Sequence, residues 1–150
     1  NYMSNSTKKN LDHDLCFLFY ITTKEVINRF NKFLKQYNIS FPNYMVLSYI
    51  EDDEEVFVKT LCNKLFLDSG TISPIVKRLE KKNLVIRKRL PEDERKVMLS
   101  LTEEGKELKA QFKNISTQVI NQLNLDSDEK EDYYNMMRGF AQKNLSQPEV

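Results

Sequence analysis

Apolar side chains recur along this chain mostly at helical spacing. From Leu11 to Tyr37, the residues Leu15, Leu18, Phe19, Val26, Phe30, Phe33 and Tyr37 fall on one side of a 3.6-residue period. That predicts a long first helix, capped by Asn10 or Asp12 and uninterrupted by proline. Its opening turns, LCFLFYI at 15–21, are apolar all round. A helix buried on every side needs more cover than a small domain supplies, so a second subunit is expected against it. Asn38 to Pro42 breaks the pattern, and Pro42 suits the first turn of a second helix through Tyr44, Val46, Leu47 and Ile50. Glu51 to Glu55 reads as a solvated acidic turn.

Val58, Leu61, Cys62 and Leu65 stand at i, i+3, i+4 and i+7, which predicts a short third helix. After a turn over Leu67 to Gly70, Ile72, Ile75, Val76 and Leu79 repeat the spacing in a fourth. Two short amphipathic helices joined this tightly make a helix-turn-helix unit. Projected at 100° per residue, Ser73, Lys77, Arg78 and Lys81 face away from the core. Pro74 is expected in the first turn, because further in it would distort the helix start. Alternation replaces helical spacing in Val85 to Arg89 and Lys96 to Leu101, on either side of LPEDE, predicting a hairpin with a charged loop, hence a wing. Thr102 caps a fifth helix, with Glu103 and Glu104 in its first turn and Leu108, Phe112, Ile115, Val119 and Leu123 on one face. Asp126 and Glu129 form a capping-box pattern for a sixth, with Tyr133, Met136, Met137 and Phe140 on its apolar face.

The predicted fold is mainly α with a small β wing: a winged helix-turn-helix of six helices. Residues 42–101 form the winged unit. Residues 11–37 and 102–145 carry more apolar surface than one core needs and are expected to join two copies as an obligate-type homodimer. One domain spans 11–150. Residues 1–10 are polar and expected to be disordered, with Asn1-Tyr2 ahead of Met3 reading as a cloning scar.

Composition adds bounds. A length of 150 residues with 40% hydrophobic and 30% charged residues describes a globular chain able to bury a real core. No apolar run approaches the ~20 residues of a membrane span, so no membrane partner is expected. Two cysteines are too few for a disulfide scaffold and fit a reducing cytoplasm. The charge distribution is more informative than the net charge of +1. Lys77 to Lys96 holds nine bases against four acids, leaving +5 there and −4 on the remainder. A basic segment on an acidic body suits a polyanion, although a solvated face would look the same.

The candidate chemistry sits on that segment. Asp68, Ser69 and Thr71 are short polar groups at a helix start, where hydroxyls and free N–H groups can receive a phosphate or reach base edges. Gly70 permits close approach. Ser73 and Lys77 lie one turn further along the outward face, with Arg78 beside them. In the wing, Asp93 stands two before Arg95, and a carboxylate there can hold the arginine out toward a narrow minor groove. Lys88 and Arg89 suit phosphate contacts. The competing readings are an ordinary surface helix and a surface ion pair worth ~0–1 kcal/mol. Cys62 reads as a small buried hydrophobe. Cys16 lies near the start of the first helix, where the dipole lowers a thiol pKa and so favours oxidation of the thiolate to sulfenic acid. Tyr20 is one turn on. The alternative is a cysteine simply packed among Leu15, Phe17 and Phe19. His13 and Cys16 form a lone H-x-x-C, and with no other histidine a zinc site is excluded. There is no Ser-His-Asp set, P-loop or G-x-G-x-x-G, so neither an enzyme nor a cofactor is expected.

LDSGTISPIVKRLEKKNLV at 67–85, the wing segment PEDERKVMLSLTEEGKEL and LCFLFYITTKEV in the first helix together resemble the MarR family of winged-helix regulators. The likeness spans about Leu11 to Lys109. The LCF…Y pattern narrows it to the one-cysteine oxidation-sensing branch of organic-hydroperoxide repressors and related staphylococcal virulence regulators. The resemblance implies a homodimer joined by its first and last two helices, bound to double-stranded DNA at a near-palindromic operator. It implies that Ser69, Thr71, Ser73 and Lys77 enter the major groove, and that Asp93 and Arg95 form the wing-tip pair in the minor groove. Cys16 matches the reactive cysteine, whose oxidation is often followed by a mixed disulfide with a small thiol. Tyr20 matches one tyrosine that holds that cysteine, whereas two further tyrosine positions are here Phe30 and Phe41. Loss of two hydroxyl donors to a thiolate, each worth ~1.5–3 kcal/mol, implies a less acidic Cys16 than in that branch. Three other functions compete: a redox-insensitive DNA-binding regulator governed by a small ligand or by abundance, a protein-interaction module on the same scaffold, and a thiol peroxidase.

Overall fold

The structure, a computed structural model, describes residues 10–145; the expected N-terminal tail lies almost wholly outside them. The order is α1 (Leu11–Leu34), a 3-10 turn (Lys35–Tyr37), α2 (Phe41–Ser48), β1 (Val56–Phe57), α3 (Val58–Leu65), α4 (Ser69–Lys81), β2 (Val85–Leu90), β3 (Asp93–Leu101), α5 (Glu103–Lys109), α6 (Phe112–Gln122) and α7 (Ser127–Asn144). This is the expected six-helix winged arrangement, with the fifth helix realised in two segments.

Local chemistry sets the boundaries. Asn10 caps α1, its side chain accepting from the His13 amide, with Asp12 and Asp14 in the first turn. The helix runs into the 3-10 turn and stops at Asn38, which takes a left-handed conformation at φ 57°. Ser40 and Asn43 cap α2, and the Asn31 side chain accepts from the Phe41 amide at 2.9 Å, fixing the start of α2 against α1. Thr102 and Asp126 cap α5 and α7, each accepting from an amide three residues on.

One core joins the second half of α1 (Phe30, Leu34) to α2, α3, α4, the sheet and α5–α6. The first half of α1 and all of α7 contribute no buried residue. Their apolar side chains stay exposed, among them Leu15, Phe17, Ile21, Tyr133, Met136 and Met137.

Four details depart from expectation. The acidic stretch leads into a strand: β1 pairs antiparallel with β3, so the sheet has three strands in the order β1-β3-β2. A two-residue strand carries no periodicity, and pairing with β3 alone creates it. The hairpin loop is tighter than LPEDE, since Leu90 pairs with Asp93 across Pro91–Glu92, with a register shift between Arg89 and Leu90. The fifth helix breaks at Ala110–Gln111 because its halves follow different neighbours. In α5, the Lys106 ammonium meets Asp53 and the Lys109 ammonium donates to the Ile50 carbonyl, whereas the Gln122 carbonyl at the end of α6 accepts from Arg29 on α1. Finally, Pro74 lies in the second turn of α4, because the helix starts at Ser69 rather than after Gly70.

Candidate nucleic-acid interface

The joint between α3 and α4 is built without glycine. Phe66 ends α3 in the left-handed region at φ 56°, and Asp68 then caps α4. The Asp68 carboxylate accepts from the Thr71 amide at 2.7 Å. Bonds from the Thr71 side chain and amide hold the Asp68 carboxyl below the usual carboxylate range. Asp68 thus secures the helix start, and the amide of Ser69 remains as an N-terminal donor.

Along α4, Ile72, Ile75, Val76 and Leu79 are buried, whereas Ser69, Gly70, Thr71, Ser73, Lys77, Arg78 and Lys81 are exposed. Pro74 has no N–H, so the Gly70 carbonyl lacks its helical donor. The Ser73 hydroxyl donates back to the Ser69 carbonyl at 2.7 Å. Its proton is therefore committed within the helix, and its oxygen is left to accept, as from the amino group of adenine or cytosine.

The wing stands beside this face. Arg95 is held twice by Asp93: its amide donates to the carboxylate at 3.1 Å and its Nε at 3.3 Å. Its side chain is 93% exposed, a cation projected into solvent with its base tethered. Arg89 donates to the Glu94 carbonyl at 2.7 Å, so part of its guanidinium closes the hairpin. Lys88 is exposed opposite Met98. Arg87 is paired with Leu99 and lies on the inner side of the sheet, where it meets Glu80 of α4 at 3.2 Å and braces the wing against the helix.

A cavity of about 560 Å³ opens between these elements. Ser69, Ser73 and Lys77 line one wall, Arg89 and Arg95 another. The α3 residues Lys59, Thr60 and Asn63 complete it. Those three were missed from sequence. The signal was present, because Lys59 and Asn63 are one turn apart on the side of α3 away from Leu61 and Cys62, and only assembly shows that this side meets α4 and the wing. Cys62 is a buried part of the cavity wall, and its burial, reinforced by the nearby Asp68 charge, pushes the thiol pKa up.

The second set of predicted residues is not gathered into one site. Cys16 is exposed, and Tyr20, one turn on, is 65% exposed with the Lys24 ammonium 5.8 Å from its ring centre. Phe19, on the same stretch, packs on Phe140 of α7 at 5.3 Å. Phe30 lies 14 residues further along α1, about 21 Å at helical rise. It packs instead with Phe41 at 5.1 Å and Tyr44 at 5.0 Å, and Tyr44 meets Phe112 at 4.7 Å. Within one chain these phenylalanines therefore cannot touch Cys16. Among the described residues, no three His, Cys, Asp or Glu side chains are grouped to hold a metal, and no helix is long and apolar enough to cross a membrane.

The family model for the transcriptional regulators SarA/Rot matches residues 28–112. HTH-type transcriptional regulator SarZ of Staphylococcus aureus is 43% identical over 144 residues, 96% of this chain and 95% of that one. Among solved structures, overoxidized AbfR bound to DNA superposes with a TM-score of 0.69 at 25% identity, over 90% of this chain and 96% of that one. The S. aureus MepR-DNA complex superposes with a TM-score of 0.75 at 22% identity, over 85% and 96%.

Proposed function

Because the chain belongs to the SarA/Rot family of transcriptional regulators, with a MarR-type winged helix-turn-helix, we propose that it is a homodimeric, sequence-specific DNA-binding regulator whose operator affinity responds to oxidation of Cys16. The observation that carries the DNA reading is the shared exposed surface of α4 and the wing. Ser69, Thr71, Ser73 and Lys77 offer short polar and cationic contacts suited to base edges in a major groove. Arg95, tethered by Asp93, suits the adjacent minor groove. Arg78, Lys88, the free part of Arg89, Lys59 and Thr60 suit phosphates on either side.

The exposed apolar faces of α1 and α7 support the dimer. Phe17, Ile21, Met136 and Met137 lie open on them, and a second copy related by a two-fold axis would cover both faces at once. Two reading heads on such an axis call for a near-palindromic operator.

Cys16 supports the switch by its position on that same layer and by its exposure. Its thiolate would attack an organic hydroperoxide, breaking the O–O bond, releasing an alcohol and leaving a sulfenic acid. A low-molecular-weight thiol would then displace water to give a mixed disulfide. Either product adds polar bulk to α1, which runs from the dimer layer into the core beneath α2. A second reading, a regulator insensitive to redox and controlled by a small ligand or by abundance, draws on Phe30 and Phe41, which provide no hydroxyl to a thiolate of either copy.

Operator binding measured with and without an organic hydroperoxide, for the wild type and Cys16→Ser, separates the two. The switch predicts release of the wild type alone. Equal release of both, or of neither, removes Cys16 from the mechanism and leaves the second reading.

A further inference from the structure

We infer that Lys82, one of the bases in the positive segment, is a positioning residue that hangs the far end of the reading helix on the end of α1, and is not a phosphate contact. Its backbone forms the C-cap of α4, with its amide donating to the Arg78 carbonyl at 3.0 Å. Its ammonium reaches across to the Asn38 carbonyl at 2.7 Å. The residue thus caps α4 with its backbone and sets its cation on the carbonyl that follows the 3-10 turn finishing α1, where the helix dipole favours positive charge.

Both anchor points are stiff. Asn38 is held in the left-handed region between the 3-10 turn and the buried Ile39. On the other side, Asn83 is left-handed and Leu84 is buried, its amide donating to the Leu79 carbonyl at 3.0 Å. Among the described residues, Lys82 to Asn38 is the hydrogen bond that directly joins the end of α4 to the end of α1. With Asp68 fixing the start of α4, it defines the tilt at which Ser69, Thr71, Ser73 and Lys77 are presented. It also makes the position of α1 felt at α4.

This inference rests on the DNA reading above, and salt dependence separates the two. A lysine on a phosphate releases counterions, so removing it lowers the slope of log K against log salt by about one. A lysine that sets tilt leaves that slope alone and lowers only discrimination between sequences. The probes are a duplex selected from a random pool by the full-length wild type and a scrambled duplex of equal length. Lys82→Met is expected to bind the selected duplex about fivefold more weakly, the scale of one lost net hydrogen bond. It should bind the scrambled duplex as the wild type does, with an unchanged salt slope on both. Lys82→Arg, which can donate to the same carbonyl, is expected to restore discrimination. Lys88→Met provides the phosphate-contact pattern for comparison. Equal weakening on both duplexes with a slope lower by about one would make Lys82 a phosphate contact and overturn the inference, as would wild-type binding by Lys82→Met. If the wild type enriches no duplex, the DNA reading itself fails.

Discussion

Arg95 and Asp68 show how two charges a few residues from a turn come to serve opposite ends of the site. Arg95 is almost fully exposed and makes its bonds only to Asp93, so its charge contributes little to the fold. Arg95→Ala is expected to leave the thermal midpoint unchanged and to weaken DNA binding by about 1–3 kcal/mol, with a lower salt slope; titrations at two salt concentrations read both effects. Asp68 turns inward to its own helix. Its folded pKa is depressed by the bonds from Thr71, so the stability it adds is present above the ordinary carboxylate pKa and is lost as pH falls through the depressed value. Asp68→Ala should therefore be less stable than wild type near neutrality, with the difference closing on acidification. Urea midpoints followed down the acid limb check this. The pairing of Asp93 with Arg95 was legible in sequence, because it depends on a partner two residues away, whereas Asp68 read as part of a turn running to Gly70, and its place as the cap of α4 came only with the helix start at Ser69. The bracing of Arg87 against Glu80 was not legible, because it depends on which face of the sheet turns toward α4.

Between elements, the seat of α5 decides how the last helices meet the reading head. Thr102 donates its hydroxyl to the Asn83 carbonyl at 2.7 Å, its amide donates to the Leu84 carbonyl at 3.1 Å, and Asn83 donates to Glu104 at 3.2 Å. Gly105 lies at this crossing, and a Cβ there would overlap the Leu84 carbonyl oxygen. In an ordinary helix, Gly→Ala stabilises by roughly 0.8–1 kcal/mol. Here the backbone oxygen cannot move without disturbing the end of α4, so the sign reverses. Gly105→Ala is expected to destabilise by about 1–3 kcal/mol, the scale of overpacking, and denaturant unfolding measures it. The sequence showed Gly105 only as a glycine in a helix. Helix spacing placed α3 and α4 well, because their apolar positions repeat over two or more turns. It did not foresee the two-residue β1 or the break between α5 and α6, which arise from pairing and packing rather than from local preference.

At the scale of the whole molecule, α7 is a helix without a core. It is capped at Asp126 and carries an apolar face, yet none of its residues is buried, and Met136 is 65% exposed. In the proposed dimer, a second copy covers this face of the 18-residue helix. Met136→Glu combined with Met137→Glu should leave helix content intact and shift the protein to a monomer in light scattering. Operator affinity should fall by about 10²-fold or more, because two linked half-sites become one.

The sequence by itself determined the elements and their amphipathic faces, the basic reading helix with its wing, and the excess of apolar surface on the terminal helices. Each is a property of spacing or of neighbours a few residues apart. Only the tertiary structure decided which charges are free. It drew Lys82, Arg87 and part of Arg89 into bonds within the fold, brought Lys59 and Asn63 to the groove, and packed Phe30 with Phe41 and Tyr44. Those outcomes depend on which elements pack together and at what angle, and no local pattern in the chain encodes that.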